Sequence, residues 1–162
     1  MIESLIINNN SSIDEQYILL VKQIKNLLNK KDNLITNLSN FTAALKQTFS
    51  KISWIGFYLF DGEKLYLGPF QGNVACTEIK LGSGVCGTSA KKRETLIVAD
   101  VDKFPGHIAC DVESKSEIVV PIIKEDKLFG VLDLDSYNYN SFNETDKKYL
   151  EELVDYLSKE II

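Results

Sequence analysis

Apolar residues at Ile13, Tyr17, Leu20, Ile24, Leu27 and Leu28 recur at helical spacing, with lysine and asparagine between them. SSIDEQ supplies the start of this helix, NKKDN at Asn29–Asn33 breaks it, and residues 1–12 read as an irregular leader. A second helix is predicted from about Thr36, with Leu38, Phe41, Leu45 and Phe49 as its buried stripe, so that residues 13–50 are helical. At Ile52–Phe60 (ISWIGFYLF) the period drops to that of a strand. Ile55, Phe57 and Leu59 share one face, the natural core side, while Trp54, Gly56 and Tyr58 share the other. Asp61–Gly62 is a hairpin turn, Lys64–Leu67 the returning strand and Gly68–Gly72 a second turn. A strand around Val74–Leu81 then carries Cys76. Gly82–Gly84 opens a short helix with Cys86 in its first turn, Thr95–Ala99 is a buried strand, and Asp100–Asp111 is a long loop. Glu117–Ile123 and Leu128–Leu134 form a hairpin around the polar turn Lys124–Lys127. After a polar loop at Tyr137–Asn140, a last helix runs from an Asn143 cap to the end, over residues 143–162.

Hairpins outnumber crossover units in this order, which predicts a mainly antiparallel sheet with helices packed on it, an α+β domain. The sheet and its loops occupy residues 52–136. The chain has 162 residues, enough for one domain, and 44% apolar with 25% charged residues is an ordinary globular balance. A net charge of −5 argues against nucleic acid or an anionic membrane as partner. The N-terminus lacks a basic region and a long apolar run, and no segment approaches a membrane span, so the expected location is the cytoplasm.

Chemistry concentrates at the last hairpin. Glu117 opens its first strand, and Asp133 and Asp135 close the second, so antiparallel pairing sets the three acids side by side. Acids are depleted from strands and costly to bury, and a hairpin made only for packing would not need them there. Just ahead lie Cys110 and the single histidine, His107. Three cysteines in a chain read as intracellular leave packing thiols, a metal site or redox chemistry. Zinc fits poorly, because Cys76 and Cys86 are far apart and only His107 and Cys110 form a local pair; no metal is expected. A Cys-His nucleophile lacks an identifiable oxyanion hole and orienting residue, and neighbouring acids would raise its thiol pKa. Redox catalysis fits better. A thiolate can attack a sulfoxide sulfur if a neutral buried carboxylic acid protonates the departing oxygen, and a second thiol can condense the sulfenic acid to a disulfide. Amides at the Gly82–Gly87 helix start suit a carboxylate ligand or a thiolate. By residue type Trp54 and Tyr58 read as core aromatics, and His107 as a residue that fixes its loop.

GPFQGNVAC, GSGVCGTSA, VADVDKFPGHIACDVESKSEIVVPI and GVLDLDS, in this order, closely resemble the free methionine-(R)-sulfoxide reductases, which are GAF-domain enzymes. The resemblance runs from about Trp54 to Phe142 and includes all three cysteines. It implies a single GAF-like domain with a central six-stranded antiparallel sheet flanked by helices, commonly a homodimer. It implies reduction of free methionine-(R)-sulfoxide with no cofactor beyond an external reductant, thioredoxin. On this resemblance Cys110 is the nucleophile and Cys76 its resolving partner, while Cys86 either pairs with another cysteine or helps to close the pocket. Glu117 and Asp135 hold or protonate the sulfoxide oxygen, Asp133 helps to bind the ammonium, and Trp54 and Tyr58 receive the S-methyl group. The competing expectation is a GAF sensor that binds a small molecule without chemistry and uses its cysteines for packing.

Overall fold

The computed structural model describes residues 4–108 and 110–162. Two helices open it, α1 (Ile13–Leu27) and α2 (Leu34–Thr48). Six strands follow: β1 (Trp54–Phe60), β2 (Lys64–Gln71), β3 (Glu78–Lys80), β4 (Leu96–Val98), β5 (Ser116–Lys124) and β6 (Lys127–Ser136). Helix α3 (Gly84–Lys92) lies between β3 and β4, and α4 (Glu144–Tyr156) closes the fold, running on into a π turn at Leu157–Ile161. The strands form one sheet in the order β3-β2-β1-β6-β5-β4, every neighbouring pair antiparallel.

Local chemistry sets the boundaries. Ser12 and Glu15 cap α1 reciprocally, Ser12 N–H donating to Glu15 Oε2 at 2.8 Å and Glu15 N–H to Ser12 Oγ at 3.3 Å. Helix α2 begins earlier than Thr36 because Asn33 caps it, accepting from Ile35 N–H at 2.8 Å. The leader is pinned along α1 by Gln23, whose side chain meets both backbone polar groups of Ile6. Between β5 and β6 the chain reverses through Glu125 and Asp126, both at positive φ, in a tight two-residue turn whose twist matches the strands.

Gly68–Gly72 is not a turn, and Cys76 is not on a strand. Strand β2 continues through Gln71 by a bulge against β1, where Gly56 pairs Phe70 and Tyr58 pairs Leu67. Pro69 is tolerated there because β3 pairs only with Lys64, Leu65 and Tyr66, leaving the outer edge of β2 open beyond it. Cys76 therefore lies on the irregular segment between β2 and β3. The predicted strand at Thr95–Ala99 shrinks to an edge strand, Leu96–Val98, of which only Val98 is buried.

Side-chain alternation gives the sheet two unlike faces. Ile55, Phe57, Ile118, Val120, Ile122, Leu132 and Leu134 point to one side, where α1, α2 and α4 cover them with Leu20, Ile24, Leu38, Phe41, Leu45, Leu150 and Leu153. Trp54, Tyr58, Val119 and Val131 point to the other and meet Val85, Cys86 and Ala90 of α3. This second layer is thinner and is completed by loops. The candidate site lies in it.

Candidate active site

Strand register gathers the acids. Glu117 stands opposite Asp135 and Val119 opposite Asp133 across β5 and β6; on the other side of β6, Trp54 pairs Asp135 and Gly56 pairs Asp133. Asp133 and Asp135, two apart, leave β6 on the α3 side and line one pocket with Glu117, Cys86, Trp54 and Tyr58. The walls above are the segment carrying Cys76 and the loop carrying His107, Cys110 and Ser114. Cys76 and Cys110 are joined as a disulfide, with Cα atoms 5.3 Å apart. Cys86 is a free, buried thiol that donates to Glu117 Oε1 at 3.8 Å. Loop and sheet thus bring every residue singled out in the sequence to one place.

The aromatic wall is fixed at both polar tips. Trp54 Nε1–H donates to the Asn73 carbonyl and the Tyr58 hydroxyl to the Cys76 carbonyl, each at 3.0 Å. The indole ring stacks on Phe70, centroids 5.5 Å apart, and folds over Gly56, where a Cβ would sit 2.4 Å from its edge. Both aromatics are therefore core residues and pocket walls together.

Burial dominates the electrostatics. It pushes Glu117 well above the usual carboxylate range, helped by the Asp133 and Asp135 charges, and lifts Asp135 likewise beside Asp133. Asp133 is raised to about 6 by burial, with hydrogen bonding from Cys86 and Glu117 pulling the other way. The Cys86 thiol is raised by burial first and by Asp133 and Glu117 next. The dipole of α3, which could favour a thiolate at Cys86, loses to that desolvation; the thiol is held protonated. Burial lowers His107, which sits half-buried at the rim, its backbone N–H donating to the Phe104 carbonyl at 3.1 Å. Ligand-type atoms of Cys86, Glu117 and Asp133 lie within 4.8 Å of one another, but burial holds Cys86 and Glu117 protonated, and protonated groups are poor cation ligands. With Cys76 and Cys110 bonded to each other, the thiols that a zinc site would draw on are spent.

Two buried oxygens facing this pocket, Asp133 Oδ1 and Ser114 Oγ, have no hydrogen-bond partner among the described residues. Orphaned polar atoms are costly inside a fold, and a polar ligand would satisfy them. Ser114, Asp111 and Ile108 also face the pocket, and the sequence reading did not select them. Their loop has no period to read, and only the neighbouring Cys110 draws attention to it.

The GAF domain family matches residues 38–161. A "Free methionine-R-sulfoxide reductase" of Saccharomyces cerevisiae is 45% identical, over 96% of this chain and 92% of its own. This chain belongs to the GAF-domain family of the free methionine-R-sulfoxide reductases. "GAF domain-containing protein A" of Dictyostelium discoideum is 54% identical over 95% of this chain and 97% of its own. The X-ray structure of the free methionine-R-sulfoxide reductase from Neisseria meningitidis in complex with its substrate superposes with a TM-score of 0.92 at 42% identity, covering 96% of this chain and 93% of that one. The family's fold agrees with the antiparallel six-stranded sheet and its flanking helices. No helix among the described residues is long and apolar enough to cross a membrane.

Proposed function

We propose that the protein reduces free methionine-(R)-sulfoxide to methionine. The observation that carries this reading is a redox-capable thiol pair, Cys76 and Cys110, roofing a pocket floored by three acids of raised pKa, Glu117 and Asp133 buried and Asp135 partly so.

In the reduced protein the Cys110 thiolate attacks the sulfoxide sulfur. Glu117 or Asp135, held neutral by burial, protonates the oxygen; two electrons pass from Cys110 to the substrate, the substrate S–O bond breaks as the hydroxyl passes to the Cys110 sulfur, and methionine leaves behind a Cys110 sulfenic acid. The Cys76 thiol then attacks that sulfur, expels the oxygen as water and forms the disulfide. Thioredoxin, as an external dithiol, restores both thiols by exchange. Trp54 and Tyr58 hold the S-methyl group and the free Oδ1 of Asp133 takes the ammonium. Amides at the start of α3 suit the carboxylate. Cys86 stays a thiol and closes the pocket beneath Glu117. The same reading places the protein in the cytoplasm, working as a homodimer. The loops roofing the pocket would exclude a peptide chain, which gives specificity for the free amino acid.

The test is a coupled assay with thioredoxin, thioredoxin reductase and NADPH on the (R) and (S) epimers, on N-acetylated sulfoxide, and with Cys110→Ser. Turnover confined to the free (R) epimer and lost in Cys110→Ser is the expected result. No turnover of any sulfoxide by the reduced wild type, dithiothreitol included, would sink the enzyme reading and leave a binding domain.

A further inference from the structure

The irregular segment that carries Cys76 and the loop that carries Cys110 approach each other without strand pairing, and in the reduced protein no covalent bond holds them. Asn73, Asp111 and Tyr137 meet at this junction. Asn73 Nδ2 donates to the Tyr137 hydroxyl at 3.0 Å and to Asp111 Oδ2 at 3.4 Å, and the Tyr137 hydroxyl donates to the same Asp111 oxygen at 3.1 Å. The triangle is closed, and each corner comes from a different part of the site. Asn73 lies three residues before Cys76, and its carbonyl is held by Trp54. Asp111 follows Cys110 directly and shapes its own loop, Oδ1 accepting from Glu113 N–H at 3.0 Å. Tyr137 follows the last residue of β6, the strand that bears Asp133 and Asp135.

We propose that Asn73, Asp111 and Tyr137 form a latch that positions the Cys110 loop against Cys76 and sets the rate at which the disulfide closes. The inference rests on the reaction proposed above for its biological meaning. Among the described residues the side chains of the three hydrogen-bond to one another and not to the reacting sulfurs, so these are positioning residues. Disulfide closure is an attack between two groups on separate loops, and its rate depends on how much of the time they are held within reach. A latch anchored on β6 holds them there before the bond exists. Attack of Cys110 on the sulfoxide uses a reacting atom from one segment only; the other lines the pocket through Val74 and Ala75, which the latch does not include.

The experiment mixes reduced wild type, Tyr137→Phe and Asn73→Ala rapidly with one equivalent of oxidant, in two arms. One arm uses methionine-(R)-sulfoxide. The other uses hydrogen peroxide, which oxidises the Cys110 thiol to the sulfenic acid and is itself reduced to water. Released methionine, dione-trapped sulfenic acid and disulfide are followed by mass spectrometry. Tyr137 is 43% exposed, so its variant keeps the fold. The expected result is methionine release at the wild-type rate, with sulfenic acid that persists and a disulfide that closes about tenfold more slowly, as the loss of two hydrogen bonds would give. Closure at the wild-type rate in both variants overturns the latch. So does slowed methionine release with unchanged closure, which would make these residues part of the substrate pocket. Should wild type close its disulfide with peroxide yet release no methionine, the proposed reaction fails, and the peroxide arm still decides the latch.

Discussion

Glu117 is a carboxyl group that the fold keeps against its own interest. Its pKa is raised from 4.5, first by burial and then by Asp133 and Asp135, so the folded protein holds protons that the unfolded chain would release. Below about pH 3 both states are protonated and the cluster costs nothing. Stability is lost as the pH climbs from the unfolded value toward the raised folded ones. For Asp133, lifted from 3.8 to about 6, the loss is on the order of 3 kcal/mol. Glu117→Gln removes one of these acids. Denaturant titrations of variant and wild type at several pH values should show no gain for the variant near about pH 3 and a gain that grows upward from there. Where Glu117 is the donor, single-turnover methionine formation by the same variant should fall by about a hundredfold or more, since an amide cannot deliver the proton; a wild-type rate would assign that proton to Asp135. The acids were legible in the sequence because charged residues on an apolar hairpin contradict its pattern. Asn73 and Tyr137 were not, because an exposed asparagine and tyrosine in a loop look like any solvated pair.

At the scale of elements, the junction of α1, β1 and α4 depends on one buried carboxylate. Asp146 is fully buried at the third position of α4, where Tyr17 and Lys51 each donate to Oδ1 at 2.7 Å and Asn143 N–H donates to Oδ2 at 3.0 Å. Removing it strands a buried hydroxyl and an ammonium group together. Asp146→Ala should cost about 3–5 kcal/mol by chemical denaturation, whereas truncating the exposed pair Lys159 and Asp155 should cost less than about 1 kcal/mol. Helices α1, α2 and α4 could be placed from hydrophobic period, since each buries one face, and β5 and β6 from continuous apolar runs, since these central strands bury both. The second half of β2 could not. Gly68, Pro69 and Gly72 signal a turn locally, and only the bulge against β1 and the open edge beyond β3, both tertiary facts, carry the strand through Gly68 and Pro69 as far as Gln71. The same misreading put Cys76 on a strand, when the site needs it on a segment free to meet Cys110.

For the whole molecule, the two faces of the sheet divide the labour: three helices and a large apolar core on one side hold the fold, while a thin layer of α3 and loops holds the chemistry. The link between Cys76 and Cys110 spans 34 residues of chain and ties two loops of that thin layer. Restricting the unfolded chain over such a span should stabilise the oxidised form by about 3–4 kcal/mol. Thermal scans with and without reductant should therefore differ by roughly 10 °C, the oxidised protein melting higher. The sole tryptophan of the chain, Trp54, stands in the pocket wall, tethered through its indole N–H to the segment that carries Cys76. An unlabelled optical probe thus stands where the proposed ligand and the Cys76–Cys110 pair meet. Its emission should shift on addition of methionine-(R)-sulfoxide to Cys110→Ser and again when wild type passes between dithiol and disulfide, so that binding and turnover can be watched by light alone.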